Sequence, residues 1–310
     1  MSKRNKNYNF YGNFPFFTPG IKGCIILLLL FLAGAVLGGL IAAPLMMLLS
    51  SSENVMESVM LVMYPIMFIP PMIYASLQSK RNSFFDLGYK LDSNNFGSMG
   101  PWLAALLATA LVLTTGFMLD IFSKIMPEMP EWLENTLQSM TGGNVWMDFI
   151  CVSLFAPFFE EWLCRGMILR GLLNYKKADG TNGMEPVWAI VISAAVFAAI
   201  HGNIWQAIPA FLIGCVMGIV YYKTGSLKLT MLMHFANNTL ALVLSHLDAF
   251  QDSDNWIDVM GPRWYWLAFA ACALLTFMII RKFLAVPDKQ PKGGCDVIDP
   301  ADQIEDQIEV

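Results

Sequence analysis

Glu160, Glu161 and Arg165 stand in FAPFFEEWLCRG, residues 155–166, within a run that is otherwise apolar. An ionisable group at mid-membrane costs about 2.5–3.5 kcal/mol on insertion scales, so chains keep such groups for a purpose. Neighbours on a helix point about 100° apart, whereas residues four apart share a face. Glu161 can therefore pair with Arg165 and neutralise itself, as a structural strut. Glu160 has no partner at helical spacing. Pro157, just upstream, lacks the N–H that the carbonyl of Ser153 would receive in an α-helix, which predicts a kink beside Glu160.

Two further clusters follow. In FAAIH, residues 197–201, Phe197 and His201 share a helix face; in HFANN, residues 234–238, His234 and Asn238 do. A single histidine near a helix end is more often a satisfied polar group than a reacting one. An Asn and a His on one face can also serve only to bridge helices, worth about 0.6–2 kcal/mol. Taken together, Glu160, His201, His234 and Asn238 make a hydrolytic set. A carboxylate beside an imidazole can deprotonate water. A second imidazole with an amide can stabilise a tetrahedral oxyanion. Alternatively Glu160, His201 and His234 could bind Zn²⁺, which lowers the pKa of its bound water to about 7. The H-E-x-x-H pattern is absent, so the cofactor question stays open between zinc and none. His246 falls at the end of its span and reads as interfacial.

These groups need elements to carry them. The chain is 56% hydrophobic and 14% charged, against about 25% charged for an ordinary soluble domain. That composition indicates an all-α integral membrane protein. The net charge of -5 comes largely from the C-terminal tail, and there is no basic stripe with interleaved aromatics, so nucleic acid is excluded as a partner. The cysteines Cys24, Cys151, Cys164, Cys215, Cys272 and Cys295 are scattered and read as small buried hydrophobes. Spans of about 20 apolar residues are predicted over 24–49, 59–77, 102–122, 146–173, 187–203, 205–222, 227–247 and 264–280. Segment 1–22 is a basic and aromatic N-terminal stretch, 23–286 a membrane domain with its core at about 146–247, and 287–310 an acidic tail expected to be disordered. Lys and Arg, among them Arg170 after the fourth span, concentrate in alternate loops. This puts both termini in the cytoplasm, in the plasma membrane of a prokaryote. PEMPEWLENTLQSM reads as an amphipathic surface helix. Gly214 and Gly218 form G-x-x-x-G, which permits close helix packing.

EEWLCRG resembles the E-E-x-x-x-R first motif of the CAAX protease and bacteriocin-processing (CPBP, or Abi) family of intramembrane proteases. FAAIH resembles its F-x-x-x-H second motif and HFANN its H-x-x-x-N third. The resemblance covers about 148–244, and the first three spans match only as generic apolar helices. Cys164 departs from the Phe that many relatives carry before the Arg. The resemblance implies that Glu160 and His201 activate water, that His234 and Asn238 bind the oxyanion, and that Glu161, Arg165 and Phe197 support the site. It also implies an intramembrane endopeptidase, named in the family both as a metallo- and as a glutamate-type protease.

The expected fold is thus all-α, with about eight transmembrane helices around a polar intramembrane cavity. The expected partners are a membrane-associated peptide or protein substrate and the lipid bilayer. The rival readings are a non-enzymatic membrane scaffold or bacteriocin-immunity protein of the same fold, and a transporter, which would usually show repeated halves. One tension concerns depth. His201 falls at the outer end of its span, whereas Glu160 lies mid-span, so either the fifth and sixth spans form a tilted or sunken hairpin, which Pro186 and Pro209 permit, or the span boundaries are shifted; His201 is expected near Glu160 in the folded protein.

Overall fold

A computed structural model describes residues 10–50, 54–82, 87–141, 143–177, 179–181, 183–247, 250, 255–287 and 297–298. Its main helices are α1 (Ile21–Leu48), α2 (Val55–Asn82), α3 (Gly100–Leu119), α4 (Glu131–Thr141), α5 (residues 145–173), α6 (Pro186–Ala199), α7 (Ile204–Thr224), α8 (Leu227–Ser245) and α9 (Pro262–Leu284). Among the described residues, six helices are long and apolar enough to cross a membrane: α1, α2, α3 with its flanking turns, α7, α8 and α9. The other two expected spans also form helices, but of a different kind. α5 changes its winding along its length, and α6 has only 14 residues. At 1.5 Å per residue α6 covers about 21 Å, against a hydrocarbon core of about 30 Å. The chain is thus an all-α multi-pass membrane protein. α4 is the expected short amphipathic helix, with Leu133 turned inward and Trp132 exposed.

Large apolar side chains stay exposed on the outer helices, among them Leu40, Leu106 and Phe277. In water such a surface would aggregate; in a bilayer it is the solvated face. The interior is built by close approach. A Cβ on Gly34 of α1 would run into the carbonyl of Met67 on α2, and α1 packs along α2. A Cβ on Gly218 would lie 2.8 Å from Ile190 Cγ2, and one on Gly214 3.1 Å from Ala194 Cβ. The G-x-x-x-G of α7 is therefore the seat of α6, which completes the hairpin. α3 packs on α8 and α9.

α5 runs through the middle of these layers. It is α-helical over Val145–Asp148, π-helical over Phe149–Phe155, α-helical over Ala156–Glu161, π-helical again over Trp162–Leu169, and α-helical over Arg170–Leu173. Every residue from Trp162 to Leu173 is buried. π-turns bond five residues apart instead of four, are rare, and occur often at functional sites. The consequence for Pro157 is specific. The N–H of Ala156 reaches back to the carbonyl of Cys151, and the same five-residue step takes Pro157, which has no N–H, to Val152. The expectation that Pro157 frees the Ser153 carbonyl is corrected by one residue: in this winding the carbonyl left without its helical donor is that of Val152.

Arg170 also departs from expectation. It is fully buried within α5 and is not a loop charge. Its Nη1 donates to the carbonyl of Tyr89 at 2.6 Å, and its Nη2 to those of Phe14 and Phe17 at 3.1 and 2.6 Å. The N-terminal segment folds over the helix end and is tied there by Phe16 N–H to Ser79 Oγ and by Asn82 Nδ2 to the Phe16 carbonyl. A two-stranded antiparallel ladder, Gly88–Tyr89 with Val297–Ile298, brings part of the tail to the same end. The rest of the expected disordered tail, the basic residues 1–9 and Cys295 lie outside the described residues.

Candidate active site

α5 presents its two carboxylates to different neighbours. Arg165 Nη1 donates to Glu161 Oε1 at 2.7 Å, and both side chains are 0% exposed. The pairing expected from their spacing is present. Arg165 Nη2 continues to the carbonyl of Gly214 at 3.1 Å. The guanidinium carbon lies 4.4 Å from the centroid of the Phe197 ring. In a dry interior such a cation–π contact contributes up to about 2 kcal/mol.

Phe197 is the hub of the cluster. Its ring meets His201 edge-on at a centroid distance of 5.2 Å and His234 at 5.3 Å. Residues from all three motifs, carried by α5, by α6 with its following turn, and by α8, thus converge on one aromatic ring. α6 ends at Ala199, and His201 in the turn that follows reaches back to its last turn. The Nδ1 of His201 lies 2.8 Å from the carbonyl oxygen of Phe197. A carbonyl can only accept, so Nδ1 carries the hydrogen and the neutral ring keeps Nε2 as its base. The Nδ1 of His234 lies 3.1 Å from Glu161 Oε1. That carboxylate also only accepts, so Nδ1 donates and Nε2 remains the outward nitrogen. Glu161 therefore orients His234 as well as pairing with Arg165, a second task that its sequence spacing did not indicate.

Asn238 is held from two sides. Its Nδ2 donates to the Val152 carbonyl at 2.9 Å, and its Oδ1 accepts from Asn237 Nδ2 at 3.3 Å. It thus supplies the donor that Pro157 cannot, and the π-winding of α5 and the third motif are one local solution. Asn237 fits against α3 because residue 116 is glycine: a Cβ there would sit 3.1 Å from Asn237 Oδ1.

Glu160 is 8% exposed. Its Oε1 accepts a hydrogen bond from the Tyr64 hydroxyl of α2, and its Oε2 is buried without a partner. No hydrogen bond joins Glu160 to His201 or His234 among the described residues; its partner is Tyr64 of α2. Tyr64 was not legible in the sequence, where a lone tyrosine in an apolar span reads as packing. Among the described residues no three His, Cys, Asp or Glu side chains form a set that could hold a metal ion. An open cavity of about 420 Å³ lined by Asn94, Asn95, Phe96, Gly97, Gly100 and Pro101 contains none of these groups. Among the described residues His246 bonds locally, to Leu242 and Ser245.

Residues 142–240 match the family model described as type II CAAX prenyl endopeptidase Rce1-like. The Rce1-like segment runs from the entry to α5 as far as α8, about a third of the chain, and contains all three motifs and Phe197. It bears out the resemblance to the CPBP family and supports a CAAX-type intramembrane protease as the general class. No curated protein and no solved structure matches the chain.

Proposed function

We propose that the protein is an intramembrane endopeptidase that hydrolyses a peptide bond of a membrane-associated substrate. The reading is carried by the convergence of the three motifs on Phe197, with the Nδ1 of each histidine engaged and each Nε2 available. Glu160 Oε2, buried and unpartnered, accepts a proton from the attacking water, and His201 Nε2 shares that task. The water oxygen bonds to the scissile carbonyl carbon, and the carbonyl oxygen becomes an oxyanion. The second N–H of the Asn238 amide donates to that oxyanion, and His234, its Nδ1–H on Glu161, adds a second donor when Nε2 carries a proton. Glu160 then passes its proton to the leaving amine as the C–N bond breaks. Arg165 and Phe197 keep these groups in register.

The test is cleavage of an internally quenched farnesyl-cysteine CaaX peptide by purified protein. Glu160→Gln and His201→Ala are each expected to lower kcat/KM by at least about 100-fold, the lower range for loss of a general acid–base, with melting profiles unchanged. A Glu160→Gln enzyme with full activity would remove Glu160 from the mechanism.

A further inference from the structure

We propose that Tyr64 of α2 is a positioning residue for the Glu160 carboxylate; the proposal rests on the reading of Glu160 as the base. Three observations carry it. The Tyr64 hydroxyl donates to one oxygen of Glu160, and the other oxygen is buried with no partner. The carboxylate is thus turned so that Oε1 is occupied and Oε2 alone can meet a water. The phenol itself is clamped. Its ring packs on Phe68 at 5.7 Å and on Phe159 at 6.5 Å, and those two rings stack at 5.1 Å with 20° between their planes. Tyr64 and Phe68 are four residues apart on one face of α2, and Phe68 is 1% exposed. Finally, α2 packs directly on the π-helical stretch Phe149–Phe155 that leads into Glu160, so the position of the hydroxyl is referred to the same segment that Asn238 holds.

A tyrosine is well suited to this place. Its hydroxyl supplies a hydrogen bond to a charged acceptor, about twice as strong as one between neutral groups. It brings no second charge into the membrane. It is also rigid once the ring is packed. α2 lies outside the Rce1-like segment, so the base of the reaction is set by a helix that the motifs do not include.

The experiment uses the full chain in nanodiscs. Tyr64→Phe keeps the ring and removes the hydroxyl. On the farnesyl-cysteine CaaX peptide it is expected to lower kcat about 10- to 100-fold, the usual range for outer hydrogen-bond partners of a reacting group, with KM within about twofold of wild type. 3,5-Difluorotyrosine, incorporated at position 64 by codon suppression, keeps the donor and is expected to keep kcat within about threefold. The infrared carboxyl band assigned to Glu160 by its disappearance in Glu160→Gln is expected to shift in Tyr64→Phe and to remain near its wild-type position in the difluorotyrosine protein. Wild-type kcat and an unmoved band in Tyr64→Phe would overturn the proposal. A moved band with wild-type kcat would overturn it too, since the bond would then exist without serving the reaction. If Glu160→Gln cleaves normally, the catalytic reading of Glu160 fails and this proposal fails with it. If Glu160→Gln is inactive and Tyr64→Phe is not impaired, only the role of Tyr64 is refuted. If Tyr64→Phe does not fold, the difluorotyrosine protein decides: a kcat lowered more than tenfold with its band unmoved counts against the proposal.

Discussion

Replacing Arg165 with Met separates what the buried ion pair does for stability from what it does for the site. In the native protein Glu161 is fully buried, and its charge is met by Arg165 at 2.7 Å and by His234 at 3.1 Å. Met fills most of the volume of Arg165 but leaves Glu161 without its permanent counter-charge. Breaking a buried pair from one side typically costs about 3–5 kcal/mol, and this range already includes the lost contact with Phe197 and the lost bond to Gly214. Glu161 Oε2 and Arg165 Nε have no partners even in the native protein, so the pair is incompletely satisfied and removing both charges is cheap. In Glu161→Leu with Arg165→Met the uncompensated charge is gone, the Phe197 contact and the Gly214 bond stay lost as in the single variant, and the added defect is His234, whose Nδ1–H loses its acceptor. One unsatisfied buried donor costs about 1–3 kcal/mol. The double variant is therefore expected to be more stable than Arg165→Met alone, because the buried charge left without its counter-charge is gone. Activity is expected to stay low, because His234 is no longer oriented. Unfolding free energies by steric trapping in bicelles, with peptide cleavage measured on the same samples, provide the assay. An Arg165→Met protein within about 1 kcal/mol of wild type would refute the stability argument. A double variant that regains both stability and activity would refute the argument that Glu161 orients His234.

Two other substitutions probe the scaffold. Arg170→Met leaves the carbonyls of Phe14, Phe17 and Tyr89 without their shared donor, and is expected to make the N-terminal segment susceptible to limited proteolysis while cleavage by the folded fraction falls by no more than about threefold; unchanged proteolysis would show that the guanidinium does not tie that segment down. Asn238→Ala removes the donor to Val152 as well as the proposed oxyanion donor, and is expected to lower kcat at least about 100-fold and the unfolding free energy by about 1–3 kcal/mol, read by cleavage and by steric trapping; loss of activity with no loss of stability would show that the Val152 bond contributes little.

The membrane class was legible because it depends on composition and on run length, both of which survive without a structure. The residues of the three motifs were legible because their spacing is helical, and the Glu161–Arg165 pair follows from that spacing alone. Arg170 was misread for a physical reason. Counting positive charges near span ends treats every such residue as solvated, yet a guanidinium with five donors can be buried wherever backbone carbonyls converge on it, and the N-terminal segment supplies them. The winding of α5 was illegible in a different sense. Pro157 announces that one carbonyl loses its donor, but which carbonyl depends on whether the turn closes over four residues or five, and that is decided by packing between α2 and α8.

That choice of winding bears on how two adjacent carboxylates come to have separate environments. Adjacent side chains on a helix diverge, but divergence alone does not say what each will meet. On one side α6 and α8 bring Phe197, His234 and the carbonyl of Gly214 to the Glu161–Arg165 pair. On the other, α2 brings a clamped phenol to Glu160. α5 is the shared wall of both environments, and its π-segments flank the two glutamates. A local α-helical spacing argument could therefore find the partner of Glu161, four residues away on the same element. It could not find that of Glu160, which lies on an earlier span and is brought there by the packing of α2 against α5. Tyr64 hydrogen-bonds one oxygen of Glu160, and the oxygen left over is the one the proposed hydrolysis requires.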